Sequence, residues 1–278
     1  MNVEILCVGR ELLIGKTLNT NAHWLAGQIT ALGGKVIRVT TVGDEVEEIA
    51  SSLEEIVNRK PDLVIAVGGL GPTFDDKTLE GVADAIGVRL GINQEALKLV
   101  REKYQSLSTH GRLRLTKSRV KMATLPRGAM PLYNPVGTAP GVILKRPRTT
   151  LICLPGVPEE MKAIFNESLV NLIEAKVGGA YFYEESFGVA DIFESELAPL
   201  IDRVMRKYPR VYVKSHARGG EGRAGATLEL HFSSASRNMA DAKGNVVKAV
   251  KMMKRILAER RERLLRNPGS QSHTHNLA

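Results

Sequence analysis

Residues 62–76 read DLVIAVGGLGPTFDD, and this stretch decides the fold. Its first half is a nearly unbroken apolar run, as expected of a strand that is buried on both faces of a parallel sheet. Its second half places the glycines Gly68, Gly69 and Gly71 directly before a helix predicted over residues 76–87. A buried strand that runs through a glycine-rich turn into a helix is typical of α/β proteins, in which ligands bind at the carboxyl ends of strands.

The alternation of strand and helix continues on both sides of this stretch. Apolar strands are predicted at residues 3–9 and 35–43, each followed by a helical pattern, and further strands at 142–145 and 150–155. Strands and helices that alternate at this spacing favour crossover connections and a mostly parallel sheet. We therefore expect residues 1–178 to form a three-layer α/β/α domain.

The pattern changes after Gly178 and Gly179, where a helix predicted over residues 158–176 ends. Residues 179–266 predict a strand, a helix, two strands and a long helix, which is a small α+β domain. Residues 267–278 have no hydrophobic periodicity, and we expect a disordered tail.

Composition excludes several classes of protein. With 43% hydrophobic residues the chain of 278 residues is too apolar for an intrinsically disordered protein. The cysteines Cys7 and Cys153 lie inside apolar runs, so a disulfide framework is excluded and buried, reduced thiols are expected. The chain enters its first strand without a basic leader and has no run of about 20 apolar residues. We therefore expect a cytoplasmic protein with no membrane partner.

The net charge of +9 is concentrated in two places. Residues 112–121 carry five Lys or Arg and no acid, and residues 251–266 carry seven Lys or Arg and two Glu. A basic amphipathic helix is more often a solvated face than a nucleic-acid site, so we expect no nucleic-acid partner.

The glycine-rich turn is suited to phosphate. Gly68, Gly69 and Gly71 allow the backbone to approach a ligand closely, and Thr73 adds a hydroxyl. The free N–H groups at the start of the next helix form an anion site. The turn lacks the Gly-Lys-Ser/Thr ending of a P-loop and the third glycine of a dinucleotide fingerprint. We therefore expect the phosphates of a small nucleotide to bind here.

Two carboxylates follow this turn and would repel a bound phosphate. A divalent cation (Mg, Mn or Co) held by Asp75, Asp76 and Asp44 would remove the conflict, since Asp44 follows the second strand and reaches the same sheet edge. The alternative is that Asp76 forms a capping box with Thr73 and that Asp44 caps the next helix.

Three more loops reach this region of the predicted sheet. The loop over residues 9–21 is long for a strand–helix connection and contains Glu11 and Asn19, which suit a base or ribose. Two glycine- and proline-rich turns supply further candidates for nucleotide binding, namely Gly137, Thr138 and Gly156. The alternative for these turns is an ordinary structural role.

The blocks GRELLIGKTLNTNAHWLA, GGLGPTFDDKT, NPVGTAPG and PGVPEEM span about residues 4–170 and together resemble the N-terminal domain of the CinA competence/damage-inducible family. The resemblance implies a molybdopterin-binding-like fold of the MoaB/MogA superfamily. Residues 181–260 resemble the small KH-type domain that follows in this family. The further domain that deamidates nicotinamide mononucleotide has no counterpart in this sequence, so that activity is not expected.

The resemblance also implies an activity. The family's N-terminal domain is associated with metal-dependent hydrolysis of ADP-ribose, and a related domain with hydrolysis of FAD, which makes a nucleotide pyrophosphatase the preferred function. Asp44 and Asp76 match the functional aspartates of MogA-like proteins and are the expected catalytic residues. Leu70 and Asp75 stand where those proteins have Thr and often Arg, which favours the CinA branch.

Two alternatives stay open. The first is a molybdopterin-binding adenylyltransferase of molybdenum cofactor biosynthesis. The second is a non-catalytic nucleotide- or RNA-binding module. Because relatives in the superfamily self-associate, a homo-oligomer (dimer or trimer) is expected.

Overall fold

The computed structural model describes residues 1–107, 115–179, 181–190, 192–218 and 227–266. The predicted disordered tail and residues 112–114 of the first basic stretch lie outside the described residues. The chain divides into two compact units, Met1–Gly178 and Gly179–Ala278, each described by itself below.

The first unit alternates strands and helices from its first residues. Its strands are β1 (Asn2–Val8), β2 (Lys35–Val42), β3 (Leu63–Val67), β4 (Leu90–Ile92), β5 (Thr124–Pro126), β6 (Met130–Leu132), β7 (Gly141–Lys145) and β8 (Thr150–Leu154). Its helices are α1 (Arg10–Leu13), α2 (Thr20–Ala31), α3 (Val46–Asn58), α4 (Thr78–Ala85), α5 (Gln94–Leu107), α6 (Lys117–Lys121), α7 (Pro158–Ile164) and α8 (Val170–Val177), with a π-helical turn at Phe165–Leu169.

The six-stranded sheet has the order β2-β1-β3-β8-β7-β6. Neighbours from β2 to β8 are parallel, whereas β7 and β6 pair antiparallel to their neighbours. The tight turn between β7 and β8, closed by a 3.0 Å bond from Arg146 N to Thr149 O, is too short for a crossover and makes that pair antiparallel. The predicted mostly parallel sheet is confirmed.

Helices cover both faces of this sheet, as the alternation of side chains along β1 illustrates. Leu6 and Val8 belong to one buried cluster, together with residues of α3, α4 and α5. Ile5 and Cys7 belong to a second cluster, together with residues of α2, α7 and α8. The expected three-layer α/β/α arrangement is therefore confirmed, and the carboxyl ends of β1, β2, β3 and β8 meet at one edge.

The single helix predicted over residues 158–176 is interrupted by the π-helical turn. Phe165 and Leu169, at the two ends of that turn, are both buried, and the Phe165 ring packs edge-on against Trp24 with 5.2 Å between ring centroids. The extra residue in the turn keeps both apolar side chains on the sheet side, which the periodicity alone does not reveal.

The second unit contains β9 (Tyr181–Ala190), α9 (Glu194–Lys207), β10 (Tyr212–Arg218), β11 (Thr227–Ser236) and α10 (Met239–Arg266). Its three strands are antiparallel in the order β10-β11-β9. Leu197 and Val204 from α9 and Met253 from α10 pack in one cluster with Leu230 and Phe232 from β11. This is a small α+β unit with its own core. In the described ranges of both units, no helix is long and apolar enough to cross a membrane.

Candidate functional site

The glycine-rich turn follows β3 with two residues in the left-handed region. Gly68 has φ +108° and Gly69 has φ +64°. A Cβ at Gly68 would lie 2.1 Å from the carbonyl oxygen of Val8, so no larger residue fits. A buried hydrogen bond stabilises the turn, because the hydroxyl of the fully buried Thr78 donates to the Gly68 carbonyl oxygen at 2.7 Å.

Three consecutive amides of this turn are unused. Within the described parts of the chain, the N–H groups of Gly69, Leu70 and Gly71 donate to no protein acceptor. A cavity of about 190 Å³ is lined by Gly69 and Gly71, and also by Asp76 and Lys121. Successive free N–H groups in a turn with positive φ form a concavity that binds anions. The predicted phosphate site therefore has suitable donors in place.

Thr73 draws the two neighbouring carboxylates together. Its hydroxyl lies within hydrogen-bond distance of Asp75 Oδ1 and 2.5 Å from Asp76 Oδ2, and its N–H donates to Asp76 Oδ2 at 2.8 Å. A hydroxyl has one proton and serves one carboxylate at a time. The hydrogen bond from Thr73 lowers the pKa of Asp75, and the positive charges of Lys121 and Lys77 act in the same direction. Asp75 thus stays ionised at neutral pH.

The Thr73–Asp76 pair expected of a capping box is formed, because Thr73 N donates to Asp76 Oδ2, but the pair does not cap α4. Helix α4 begins at Thr78, its N-cap is Lys77, and no side chain caps it. The cap predicted for Asp44 is also absent, because the N-cap of α3 is Glu45 and the Asp44 carboxylate accepts from Arg10 N at 3.0 Å instead.

An ion pair connects the loops that follow β2 and β3. Lys77 Nζ lies 2.9 Å from Glu45 Oε2, and this bond raises the pKa of Lys77. Asp44 directly precedes Glu45 in the sequence, and Asp76 directly precedes Lys77. Asp44 therefore belongs to the same edge of the sheet, although its carboxylate is bonded to the first loop.

The three aspartates do not form a complete set of metal ligands. Among the residues that the structure describes, no three His, Cys, Asp or Glu side chains are grouped so that they could hold a metal ion. Asp75 and Asp76 converge on one hydroxyl, and their oxygens are the ligand type that hard divalent cations take. A cation beside this pair would fit only if phosphate or water oxygens supplied the rest.

In the first loop, Glu11 is exposed and Asn19 is not free. The Asn19 side chain accepts from Ala22 N at 3.1 Å and so caps α2. Asn21 instead donates to the carbonyl oxygen of Gly156 at 2.7 Å. A Cβ on Gly156 would lie 3.4 Å from the Gly68 Cα atom, so the turn after β8 packs directly beside the glycine-rich turn.

Gly137 and Thr138 lie in a separately organised loop. Asn134 is buried there, accepts from Gly137 N at 2.8 Å and donates to Glu160 Oε2 at 2.7 Å. A Cβ on Gly137 would lie 1.9 Å from the Glu160 carboxylate, so packing in this loop requires a glycine at position 137. Gly137 and Thr138 line a different cavity, of about 270 Å³, from the one at Gly69 and Gly71.

Sequence reasoning missed two side chains at this site. Lys121, at the end of α6, donates to the Thr73 carbonyl oxygen at 2.5 Å and brings a positive charge to the acidic turn. The buried Oδ1 atom of Asn21 has no hydrogen-bond partner among the described residues. The only sequence signal for Lys121 is its place in a basic stretch, and that signal does not indicate which loop it contacts.

Two loops carry a large exposed apolar side chain. Phe74, within the glycine-rich turn, is 87% exposed, and Leu18 in the first loop is 83% exposed. A large apolar side chain that projects from a binding loop is suited to contact the apolar or planar part of a ligand.

Comparison with known proteins identifies the family. Residues 4–175 match the family described as "Probable molybdopterin binding domain". A protein of Caldivirga maquilingensis is 43% identical over 254 residues, which cover 91% of this chain and 95% of that protein. A protein of Pyrobaculum arsenaticum is 43% identical over 256 residues, covering 92% of this chain and 94% of that protein. A solved structure described as the protein CinA with unknown function, from Thermoplasma acidophilum, is 40% identical with a TM-score of 0.56, and the match covers 63% of this chain and 97% of that one.

Proposed function

The chain belongs to the family of probable molybdopterin binding domains, and from this premise we propose that its first unit binds a phosphorylated pterin of the molybdopterin class. The phosphate lies on the amides of Gly69, Leu70 and Gly71. The observation that carries the proposal is that these three consecutive N–H groups have no acceptor among the described residues and border a cavity. An anion is the ligand that such a group of donors stabilises.

The acidic side of the turn adds a cation to this proposal. A Cβ at Gly71 would lie 2.6 Å from Asp76 Oδ2, so the Asp76 carboxylate lies beside the proposed phosphate, and the Thr73 hydroxyl lies within hydrogen-bond distance of both Asp76 and Asp75. A bound Mg²⁺, Mn²⁺ or Co²⁺ supplies charge neutralisation between carboxylate and phosphate oxygens. Lys121 contributes a fixed positive charge on the same side.

The planar part of the ligand has one candidate contact. The exposed ring of Phe74 offers a face for stacking. Within this proposal the enzymatic step is adenylyl transfer: an oxygen of the pterin phosphate attacks the α-phosphorus of ATP, and pyrophosphate leaves. Asp44 and Asp76 are the proposed catalytic carboxylates.

One residue of the turn favours a second function, hydrolysis of a nucleotide pyrophosphate. Asp75 places a second carboxylate beside Asp76, since both lie within hydrogen-bond distance of the Thr73 hydroxyl. In this reaction water attacks one phosphorus atom, so that ADP-ribose gives AMP and ribose 5-phosphate, and FAD gives AMP and FMN. The bridging oxygen leaves with one of the two phosphates.

One set of measurements tests both functions. The purified full chain is denatured and its supernatant is examined for pterin fluorescence. The intact protein is also incubated with ATP, ADP-ribose, FAD and NAD, each with Mg²⁺, Mn²⁺, Co²⁺ or chelator, and the products are separated by chromatography. A copurifying pterin supports the first function. Chelator-sensitive release of AMP from ADP-ribose or FAD supports the second.

Asp76→Asn is the informative variant and Asp84→Asn its matched control. Both remove one carboxylate, but the Asp84 side chain is exposed on α4 and does not line the cavity. We expect Asp76→Asn to abolish turnover or pterin retention while Trp24 fluorescence remains native, and Asp84→Asn to behave as the wild type. Full activity in Asp76→Asn would refute the assigned role of the acidic turn. A protein that retains no pterin and binds none of the nucleotides would refute both functions.

A further inference from the structure

Six cationic side chains line one groove of the second unit. The groove lies between α9 and α10 and is called the α9–α10 groove below. It has a volume of about 1190 Å³. Its cations are Arg203, Arg206 and Lys207 from α9 and Lys248, Lys251 and Arg255 from α10.

These charges are not compensated inside the groove. Among the residues that the structure describes, no Asp or Glu lines it. Arg255 Nε lies 3.6 Å from Glu259 Oε1 on the same helix, and Arg206 Nε reaches only the backbone oxygen of Asp202, at 3.4 Å. Several like charges that line one groove with no acid among the lining residues repel one another, and a bound polyanion removes that repulsion.

The spacing of the cations suits a chain of phosphates. Lys248, Lys251 and Arg255 follow one another at three and four residues, which is about 4.5 and 6 Å along the axis of α10. Arg203 and Arg206 repeat the three-residue spacing on the opposite wall. Successive phosphates of a stacked strand are about 3.4 Å apart along its axis, so each wall offers a cation every one to two nucleotides.

The shape of the groove selects among polyanions. Its volume exceeds the range of about 300–1,000 Å³ typical of small-molecule sites, which favours a chain over a single nucleotide. The half-buried side chains of Tyr208 and Met252 lie between the cations, where a base can stack on the tyrosine ring. A bilayer surface would instead require apolar side chains that project beyond the cations.

We propose that the α9–α10 groove binds single-stranded nucleic acid, with its phosphates on the six cations and a base against Tyr208. Phosphate contacts of this kind are independent of sequence. The sequence favours a solvated face for residues 251–266, because a linear pattern does not reveal that α9 places a second row of cations opposite the first. This site is independent of the function proposed for the first unit.

The test uses the full chain and a fluorescein-labelled oligouridine of about 12 nucleotides. Its affinity is measured by fluorescence anisotropy between about 50 and 200 mM salt. With six phosphate contacts the logarithmic salt slope is about −4, so the affinity falls about 300-fold over this range. Arg203→Gln with Arg206→Gln reduces the slope to about −3 and weakens binding about 25-fold near 100 mM salt. Lys248→Gln with Lys251→Gln, on the α10 side of the groove, should reduce the salt slope and the affinity by the same amounts.

The matched control is Arg146→Gln with Arg148→Gln, which removes the same charge from an exposed turn of the first unit. It should leave both the affinity and the slope unchanged. Circular dichroism and thermal unfolding of every variant separate lost binding from lost folding. Equal weakening by the groove and control variants would overturn the proposal, since binding would then depend only on net charge. Tighter binding of a polyglutamate peptide or of phosphatidylserine vesicles than of oligouridine would also overturn it.

Discussion

Gly69→Ala tests how the glycine-rich turn is built. Gly69 has φ +64°, and a Cβ at this position would lie 2.3 Å from the hydroxyl oxygen of Thr78. That hydroxyl is buried and already donates to the Gly68 carbonyl. The substitution therefore adds backbone strain and a clash with a side chain that cannot move away without losing its hydrogen bond.

The two contributions have separate magnitudes. Left-handed backbone costs a non-glycine residue about 1–2 kcal/mol, of which about 0.4–1 kcal/mol is offset by the stiffer unfolded chain. Overpacking of a buried site adds about 1–3 kcal/mol. Gly87→Ala isolates the first contribution, because Gly87 has φ +66° and nothing lies within 4 Å of the point that a Cβ would occupy there. We expect a loss of about 1 kcal/mol for Gly87→Ala and about 2–4 kcal/mol for Gly69→Ala.

A double-mutant cycle identifies the clash. Thr78→Ala removes the hydroxyl and costs about 1–3 kcal/mol through the lost bond to the Gly68 carbonyl. In that background the nearest atoms to the Cβ introduced by Gly69→Ala would be the Cβ and N atoms of residue 78, both at 3.3 Å, so this substitution should cost about as little as Gly87→Ala. The double variant is then about 1–3 kcal/mol more stable than additivity predicts.

The assay is urea unfolding followed by the fluorescence of Trp24, the chain's one tryptophan, which packs against Phe165 in the first unit. It therefore reports on the unit that contains the turn. Additivity within about 0.5 kcal/mol would refute the reasoning, because it would mean that the turn accommodates a Cβ without displacing Thr78. Equal losses for Gly69→Ala and Gly87→Ala would refute it as well.

Three further predictions concern other parts of the chain. Arg59→Met leaves the fully buried Glu4 carboxylate without the guanidinium that lies 2.7 Å away, and should cost about 3–5 kcal/mol in urea unfolding followed by Trp24 fluorescence. Burial raises the pKa of Cys153 to about 12 and also raises that of Cys7, so neither thiol should react with iodoacetamide at pH 8 in the native protein, whereas mass spectrometry should find both alkylated in urea. The bond from Arg260 lowers the pKa of Glu196, so its stabilisation is present above about pH 4.5 and is lost as the pH falls through the lowered pKa. Glu196→Gln should therefore lower the melting temperature at pH 7, and its difference from the wild type should shrink steadily as the pH falls below 4.5.

The sequence predicted those features whose physical cause is local. The apolar run before Gly68 and the matching runs at β1 and β8 identified the buried strands, because strands covered on both faces have few polar residues. The run at β2 identified a strand that lies at the edge of the sheet and is largely exposed. Residues 88–133 received no assignment in the sequence analysis. There the strands β4, β5 and β6 have three residues each, and a three-residue strand exists only because its partner strand holds it.

The candidate site also contains residues whose role has a local cause and residues whose role depends on tertiary packing. Gly68 and Gly69 were recognised because their role is to permit a backbone conformation, which depends on the residue itself. Gly71 has a different role, because a Cβ there would lie 2.6 Å from Asp76 Oδ2. Asn19 was interpreted as a ligand contact although it caps α2, since the same amide group suits either role. Lys121 was not recognised at all, because its contact with Thr73 spans 48 residues and depends on where α6 packs.

Leu70 and Asp75, the two residues that distinguish this turn from that of MogA-like proteins, lie in different environments, since Leu70 is buried and Asp75 is exposed. Leu70 packs in the same buried cluster as Val82 and Leu125, so a threonine at this position would place its hydroxyl in the core of this chain rather than in the cavity. A buried hydroxyl without a partner costs about 1–3 kcal/mol and adds no contact to the ligand. Leu70→Thr alone would therefore destabilise the first unit without changing its ligand. The carboxylate of Asp75, in contrast, is exposed and acts from the surface of the turn, so Asp75 is the residue of this pair through which ligand chemistry can differ.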